Sequence, residues 1–356
     1  FALKSLKRDL LPTVLDSSSS SAEDADADED TTDNSFTSTV AGFVKAAQEL
    51  AREAYLLSRL DHAHIISIQG WTMGGVSSYQ TYKRHDAFFL LLELLEKENL
   101  EERIARWNQE DADTTADDSA SFSFHHQHQH ARTVEQLTIC QQVATALDYI
   151  HSKNVVYRDL KPQNIGFGRR TGTSSKNKNS KKIHVKLMDF GLARELPTMT
   201  NSNSSSNSGR TTIVPNPEEQ HNNNNTNHNE RNTFLDMTGR VGTIRYMSPE
   251  LYLNQPYSVA ADIYSWSIVS YEILSKTRPY NHMTPDLYHS LVCQQGVRPN
   301  TWQQHQYQQV GQCQHEVPGQ VPLSSDYLVL LAHAWRTNPA NRLPLHRIVR
   351  QLDLFI

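Results

Sequence analysis

Two short segments constrain this chain more than any others: Tyr157-Arg158-Asp159-Leu160-Lys161-Pro162-Gln163-Asn164 and, further along, Asp189-Phe190-Gly191. The first places a carboxylate, an ammonium and an amide in one short loop. The second places another carboxylate just after the apolar run Val185 to Met188, which reads as a strand. One carboxylate in such a set can accept a hydroxyl proton. The amide and the other carboxylate are hard oxygen donors suited to Mg2+. Asp-Phe-Gly alone arises often by chance, but both segments in this order are specific. A fold that uses them must bring a loop and a distant strand end together.

The rest of the chain tells where such a fold can lie. Phe1 to Leu6 is short, apolar and strand-like. Between Val40 and Leu60, the residues Val44, Ala47, Leu50, Ala54, Leu57 and Leu60 recur at helical spacing. Ala87 to Leu94 reads as a buried strand and Val134 to His151 as an amphipathic helix. Beyond Ser258 the pattern gives helices over Ser258–Ser275, Pro285–Cys293, Ser324–Trp335 and Leu345–Leu352. Strands thus gather at the front and helices at the rear.

Five stretches dilute this pattern. Residues 16–38 are rich in Ser, Thr, Asp and Glu, and 110–131 begin acidic and end in a histidine tract. Residues 171–180 are a Lys/Asn/Ser run, 197–233 are dominated by Asn and Ser, and 302–320 are rich in Gln. Such compositions bury too little apolar surface to offset chain entropy, so they read as mobile loops. They explain why only 37% of the 356 residues are hydrophobic. Without them about 245 residues remain, the size of one large domain. His125, His126, His128 and His130 could in principle ligate a transition metal, but they lack cysteine partners and read as low complexity. The acidic run from Asp24 to Asp30 reads as solvated linker.

The net charge of -5 gives no bulk attraction to nucleic acid or to a membrane surface. No apolar run approaches the roughly 20 residues of a membrane span. Cys140, Cys293 and Cys313 form no CxxC pair and no even framework, which fits a reducing intracellular, cytoplasmic setting.

With these residues in place, the chain resembles the eukaryotic protein kinase family. Phe1-Ala2-Leu3-Lys4 is similar to the family's V-A-I-K strand, and Ser248-Pro249-Glu250 to its A-P-E. Asp262-Ile263-Tyr264-Ser265-Trp266-Ser267 resembles the buried D-x-Y-S-x-G helix, and Asn338-Pro339-Ala340-Asn341-Arg342 the D-P-x-x-R segment. The resemblance implies an α+β, two-lobed fold, with a small mainly β lobe over 1–94 and a large mainly α lobe over 95–356. It implies ATP and Mg2+ as cofactors and Ser/Thr hydroxyls of proteins as substrates, an activity of the EC 2.7.11 type.

Residue by residue, the resemblance makes Asp159 the group that accepts the substrate proton. Lys161 neutralises the transferring phosphoryl, and Asn164 and Asp189 hold Mg2+. Lys4 grips the α- and β-phosphates and needs a glutamate partner from the first long helix. Glu49 and Glu53 compete, and the family's step back from Leu60 and His62-Ala63-His64-Ile65-Ile66 lands on Glu53. Ala2, Glu93 and Leu95 would meet the adenine, the latter two through hinge backbone, with Leu92 as gatekeeper. Asp262 would brace the catalytic loop, Arg342 would pair with Glu250, and Thr243 would meet Lys161 and Asp159. Gly191 completes the Asp-Phe-Gly segment. Lys161 with Pro162 looks like the Ser/Thr-specific class. Trp335 and Gly296-Val297-Arg298-Pro299 resemble the tyrosine-kinase-like group of Ser/Thr kinases.

The sequence also departs from the family. Tyr157 replaces a histidine beneath Phe190, where an aromatic serves. Gly166 stands where a bulky residue usually touches adenine from below, which implies a looser floor and weaker ATP binding that Gly166→Leu would correct. No G-x-G-x-x-G precedes Lys4, so the expectation is a chain cut before its Gly-rich loop, with activity dependent on the missing part. Arg158 before Asp159 marks members switched by phosphorylation, with Thr233 and Thr238 as candidate sites. The rival reading is a pseudokinase that binds partners through the fold. It conflicts with the joint presence of Lys4, Glu53, Asp159, Lys161, Asn164 and Asp189.

Overall fold

The computed structural model describes residues 1–7, 29–82, 84, 86–116, 122–169, 183–196, 244–300 and 325–356. The small front part holds a three-stranded antiparallel sheet. Strand β1 (Ala2–Ser5) and strand β2 (Ile68–Trp71) both pair with the central β3 (Phe89–Leu92). The register sets Ala2 opposite Leu92 and Lys4 opposite Leu90. Alternation then turns Ala2 and Lys4 to one face and Phe1, Leu3 and Ser5 outward, with Leu3 69% exposed.

Helix α1 (Glu29–Leu57) packs against this sheet through Ala47, Leu50, Ala54 and Leu57, all buried. Two expectations change here. The helix begins at Glu29, so the 16–38 stretch read as a loop is helical in the part the structure describes. Val44, counted on the apolar row, is 45% exposed. Its neighbour Phe43 faces inward instead and meets Tyr79 of α2 (Ser78–Tyr82) edge-on at 5.1 Å.

A chain crossing joins the two parts. His64 O accepts from Leu187 N and Leu187 O accepts from Ile66 N, both at 2.9 Å, so the His62–Ile66 segment docks on strand β6 (Val185–Leu187). Beyond the hinge, helix α3 (Leu100–Ala116) opens on a reciprocal capping box. Asn99 Oδ1 accepts from Glu102 N at 3.0 Å, and Glu102 Oε2 accepts from Asn99 N at 2.9 Å. Helix α4 follows over Phe122–Ser152.

The reading of 110–131 as a loop is therefore overturned: residues 110–116 and 122–131 are helical. The acidic residues that suggested a solvated run have specific partners. Glu110 pairs with Arg106 at 2.7 Å and Arg132 at 2.5 Å, and Asp111 pairs with Lys276. Among the described histidines of the tract, His128 and His130 are exposed on α4. The stretches 171–180, 197–233 and 302–320 lie outside the described residues.

The core of the large part is built on α4 and on helix α6 (Ala260–Ser275), which follows the short helix α5 (Pro249–Tyr252). Every residue of α6 is buried, including Asp262 and Glu272. A helix buried on all sides needs internal partners for its polar groups. Trp266, for example, donates its indole N–H to Cys140 O at 2.9 Å. Helix α7 (Pro285–Leu287) runs into a π-helical stretch, Tyr288–Gln294, where an ordinary helix was expected. Helix α8 (Ser325–Ala334) and the amphipathic α9 (Leu345–Leu352) close the rear. Leu345, Ile348 and Leu352 of α9 form one buried stripe facing α4.

No helix among the described residues is long and apolar enough to cross a membrane.

Candidate active site

The candidate residues are brought together by short elements. Strand β4 (Val155–Val156) pairs with β7 (Arg194–Glu195), and β5 (Ile165–Phe167) pairs with β6. Between β4 and β5 runs the loop of Tyr157 to Asn164, and directly after β6 come Met188 and Asp189. The two ladders thus place the loop and the strand end side by side.

Asp262 fixes the loop's entry. Its two carboxylate oxygens accept from Tyr157 N and Arg158 N, each at 2.8 Å, and Oδ2 also lies 2.8 Å from His151 Nε2. Arg158 is held at φ 72°, in the left-handed region that non-glycine residues avoid. Tyr157 is buried, its ring meets Phe190 at 5.1 Å in a T-shape, and its hydroxyl donates to Met188 O.

Within the loop, Asp159 Oδ2 accepts from Lys161 Nζ at 2.6 Å and from Asn164 Nδ2 at 2.9 Å. Asn164 Nδ2 also donates to Asp159 O at 2.9 Å, so the remaining polar atom of its side-chain amide is the acceptor Oδ1. Asp159 Oδ1 is buried with no partner among the described residues. Burial raises the Asp159 pKa, against the opposing charge of Lys161, so this carboxylate is a stronger base than usual.

Asp189 stands at φ 58°, again left-handed. Its Oδ1 lies 3.0 Å from Lys4 Nζ and 3.4 Å from Gly191 N. Burial acts to raise the Asp189 pKa, but Lys4 outweighs it and the net shift is downward, toward the anion. Lys4 Nζ lies 2.5 Å from Glu53 Oε2, and Glu53 is buried. Burial opposes the charge on Lys4, but Glu53 and Asp189 outweigh it and raise its pKa. Glu49, the competitor, does not reach Lys4 in this way; its Cβ lies 3.3 Å from where a Cβ on Gly191 would stand.

The hinge side is also tied. Glu93 N donates to Ser67 O at 2.9 Å, and its carboxylate meets Lys186 Nζ at 2.9 Å. Leu95 bridges to Gly168, and Glu96 N donates to Phe167 O at 2.8 Å. Leu92 is buried opposite Ala2. The floor differs from expectation. The space over Gly166 is filled by the ends of Leu95 and Met188, so it is not loose. In the large part, Arg342 grips both oxygens of Glu250, at 2.5 and 2.8 Å, and both residues are buried. Thr233, Thr238 and Thr243 lie outside the described residues.

Three contributors were not singled out by sequence. Arg52 and Arg194 both donate to Gly191 O, at 3.1 and 3.5 Å, and both feel the charge of Arg158. Burial and these like charges pull the Arg194 pKa down to about 10. Tyr246 donates to the buried Glu272 Oε2 at 2.7 Å. Arg52 adjoins Glu53 in sequence, and that adjacency was the one available signal.

Met188 N donates to Asn164 O at 2.9 Å, which sets the Asn164 backbone beside the strand end that carries Asp189. Among the described residues, no group of three or more His, Cys, Asp or Glu side chains gathers to hold a metal ion. A pair of hard oxygen donors suits Mg2+, which usually takes few protein ligands and completes its shell with water and phosphate oxygens.

Residues 37–352 match the protein kinase domain, and the chain belongs to that family. Its fold is accordingly the two-lobed kinase fold. It is 23% identical over 252 residues to a probable serine/threonine-protein kinase of Dictyostelium discoideum, covering 71% of this chain and 13% of that protein. It is 25% identical over 237 residues to a serine/threonine-protein kinase of Arabidopsis thaliana, covering 66% of this chain and 30% of that protein. A calcium-dependent protein kinase of Plasmodium falciparum is 25% identical over 239 residues, covering 67% of this chain and 29% of its own length. The chain therefore spans less than a third of each of these relatives.

Proposed function

We propose that this chain transfers the γ-phosphoryl group of ATP to Ser or Thr hydroxyls of protein substrates. The observation that carries the reading is the joined set of charges: Lys4 bridges Glu53 and Asp189, while Asp159 holds Lys161 and Asn164. The substrate hydroxyl oxygen attacks the γ-phosphorus as the bond to the β–γ bridging oxygen breaks, and ADP leaves. Asp159 takes the hydroxyl proton, through the basicity that burial gives it. Lys161 offsets charge on the moving phosphoryl, and Lys4 holds the α- and β-phosphates. Mg2+, held by Asn164 and Asp189, would neutralise charge on the phosphate oxygens. Positioning and charge stabilisation supply most of the rate in such a site.

The lobes divide near Leu94 and Leu95, with adenine against the hinge backbone at Glu93 and Leu95. Arg298 Nε donates to Trp335 O at 2.8 Å and Nη2 to Thr337 Oγ1 at 3.0 Å. This tie between the Gly296–Pro299 segment and Trp335 supports placement in the tyrosine-kinase-like group of Ser/Thr kinases. Arg52, Arg158 and Arg194 form a cluster of like charge that an added phosphate would satisfy, with Thr233 and Thr238 as its sources.

The test is transfer of labelled phosphate from ATP to a mixed protein substrate, followed by phosphoamino-acid analysis. Wild type is expected to label Ser and Thr, and Asp159→Asn to lose about 10²- to 10⁴-fold in rate. Full transfer by Asp159→Asn, or label on Tyr alone, would refute the reading. Mass spectrometry of the active protein with neither Thr233 nor Thr238 phosphorylated would remove the phosphate switch.

A further inference from the structure

Helix α1 carries Glu53 to Lys4, yet that ion pair does not by itself seat the helix. Burial raises the Glu53 pKa although Lys4 opposes this, so the pocket disfavours the carboxylate it holds. Burying a charge costs desolvation that one ion pair offsets only in part. What holds α1 in place is apolar. Ala47, Leu50, Ala54 and Leu57 are buried in the core. Ahead of them, Phe43 meets the connection between β2 and β3.

That connection, Thr72–Phe88, is a stiff arm. Thr72 N donates to Phe89 O at 3.1 Å and Thr72 Oγ1 accepts from Phe89 N at 3.0 Å, which closes its base. Gly74 and Gly75 stand at φ 90° and 55°, in the left-handed region that glycine permits, and lead through the turn Gly75–Ser77 into α2. Tyr79 of α2 is 3% exposed. Its ring meets Phe88 edge-on at 6.2 Å and Phe43 of α1 edge-on at 5.1 Å. Its hydroxyl donates to Phe88 O at 3.3 Å, which is long for such a bond. Phe88 leads directly into β3, whose Leu90 lies opposite Lys4. The arm thus ties α1 to the same strand that sets the register of Lys4.

We propose that Tyr79 is a positioning residue: through its ring contact with Phe43 it holds α1 at the tilt that brings Glu53 to Lys4. The catalytic consequence rests on the kinase reading above. The lever favours this role. With the buried Leu57 as pivot, Phe43 lies about 21 Å away along the axis and Glu53 about 6 Å, at 1.5 Å per residue. A tilt that moves Phe43 by about 4 Å then moves Glu53 by about 1 Å, enough to lengthen its ion pair beyond hydrogen-bond reach. A contact at Phe43 resists that tilt at the long end of the lever.

The test measures initial rates of phosphate transfer from ATP for Tyr79→Phe, Tyr79→Ala and Phe43→Ala, each alone and in a Glu53→Gln background. Thermal melting fixes the folded fraction, and hydrogen exchange follows the amides of α1. Tyr79→Phe is expected to keep the rate within about twofold, because the ring remains. Tyr79→Ala and Phe43→Ala are each expected to lower the rate per folded molecule about 3- to 10-fold, the ratio to which an aromatic pair's contribution corresponds. Together they should cost no more than the worse of the two, because they remove one shared contact. In the Glu53→Gln background, Tyr79→Ala is expected to change the rate less than about twofold, since the clamp acts through Glu53. A general loss of stability would act equally in both backgrounds. The amides of α1 are expected to exchange several-fold faster in Tyr79→Ala, and those of α6 at the wild-type rate. Should Tyr79→Ala fail to fold, Phe43→Leu, apolar but without a ring, carries the same tests. Equal loss in both backgrounds, Tyr79→Phe as slow as Tyr79→Ala, or unchanged exchange in α1 would overturn the clamp. Wild type that transfers no phosphate would overturn the kinase reading, and exchange in α1 would then decide the clamp alone.

Discussion

Asp262 offers the sharpest test of how α6 controls the catalytic loop. It is fully buried, and three donors converge on it at 2.8 Å: Tyr157 N, Arg158 N and His151 Nε2. Asp262→Ala removes the acceptor and leaves two backbone N–H groups and one imidazole without it. Each orphaned buried group costs roughly 1–3 kcal/mol, and the costs are not additive, so a loss of about 3–5 kcal/mol is expected. That is a large share of the roughly 5–15 kcal/mol that holds a domain together. Catalysis should suffer separately. The left-handed Arg158 is sustained by its N–H bond to Asp262, and Asp159 follows it directly. A shift of Asp159 by about 1 Å would lower kcat on the order of a hundredfold. KM for ATP should move little, because Asp262 makes none of the bonds of Lys4, Glu53 or Glu93. Asp262→Asn should fall between, since its carboxamide oxygen can serve one N–H while its NH2 faces the other. Urea unfolding gives the stability change as a shift of midpoint at constant slope, and steady-state kinetics on the folded fraction gives kcat and KM. A midpoint shift worth less than about 0.5 kcal/mol together with an unchanged kcat would show that the bracing argument is wrong.

Two further outcomes follow from buried charges. Arg342→Ala leaves Glu250 buried without its bidentate partner and should cost about 3–5 kcal/mol in urea unfolding, whereas the double variant Arg342→Met/Glu250→Leu should recover much of that loss; no recovery would mean the pair itself is not the source. Burial raises the Glu272 pKa from 4.5 to about 7, with Tyr246, Arg245 and Arg278 opposing. The folded state then holds a proton that the unfolded state has released, so stability is greatest below about pH 4.5 and is lost as pH rises to about 7. Over pH 5 to 8, wild type should lose roughly 2.5 kcal/mol more than Glu272→Gln, and parallel curves for the two would refute the shift.

The Tyr157–Asn164 loop, the strand before Asp-Phe-Gly and most of the rear helices were legible because each is a local pattern of residue types. Helix α9 keeps the bounds its periodicity gave, Leu345 to Leu352. Residues 110–131 misled because an acidic run looks the same whether it faces water or pairs with Arg132 and Lys276, which lie far from it in sequence. Val44 misled because a row of apolar residues does not say which of two adjacent faces meets the sheet; Phe43 won by reaching Tyr79. Apart from the adjacency of Arg52 to Glu53, Arg52 and Arg194 carry no local signal, since their meeting at Gly191 O depends on how α1 sits over the strand end.

By itself, the sequence determined the order of reactive groups: the lysine, the glutamate, the loop carboxylate and the strand-end carboxylate. Their types and spacing follow from the chemistry of phosphate, protons and magnesium, which acts residue by residue. Tertiary structure alone decided which of those groups touch and what surrounds them. It joined Lys4 to Glu53 and Asp189, raised the basicity of Asp159 by burying it, and filled the place over Gly166 with Leu95 and Met188. Distance, burial and occupied volume belong to packed elements, so the sequence could not say that the space beside residue 166 is taken by Leu95 and Met188, which come from different parts of the chain.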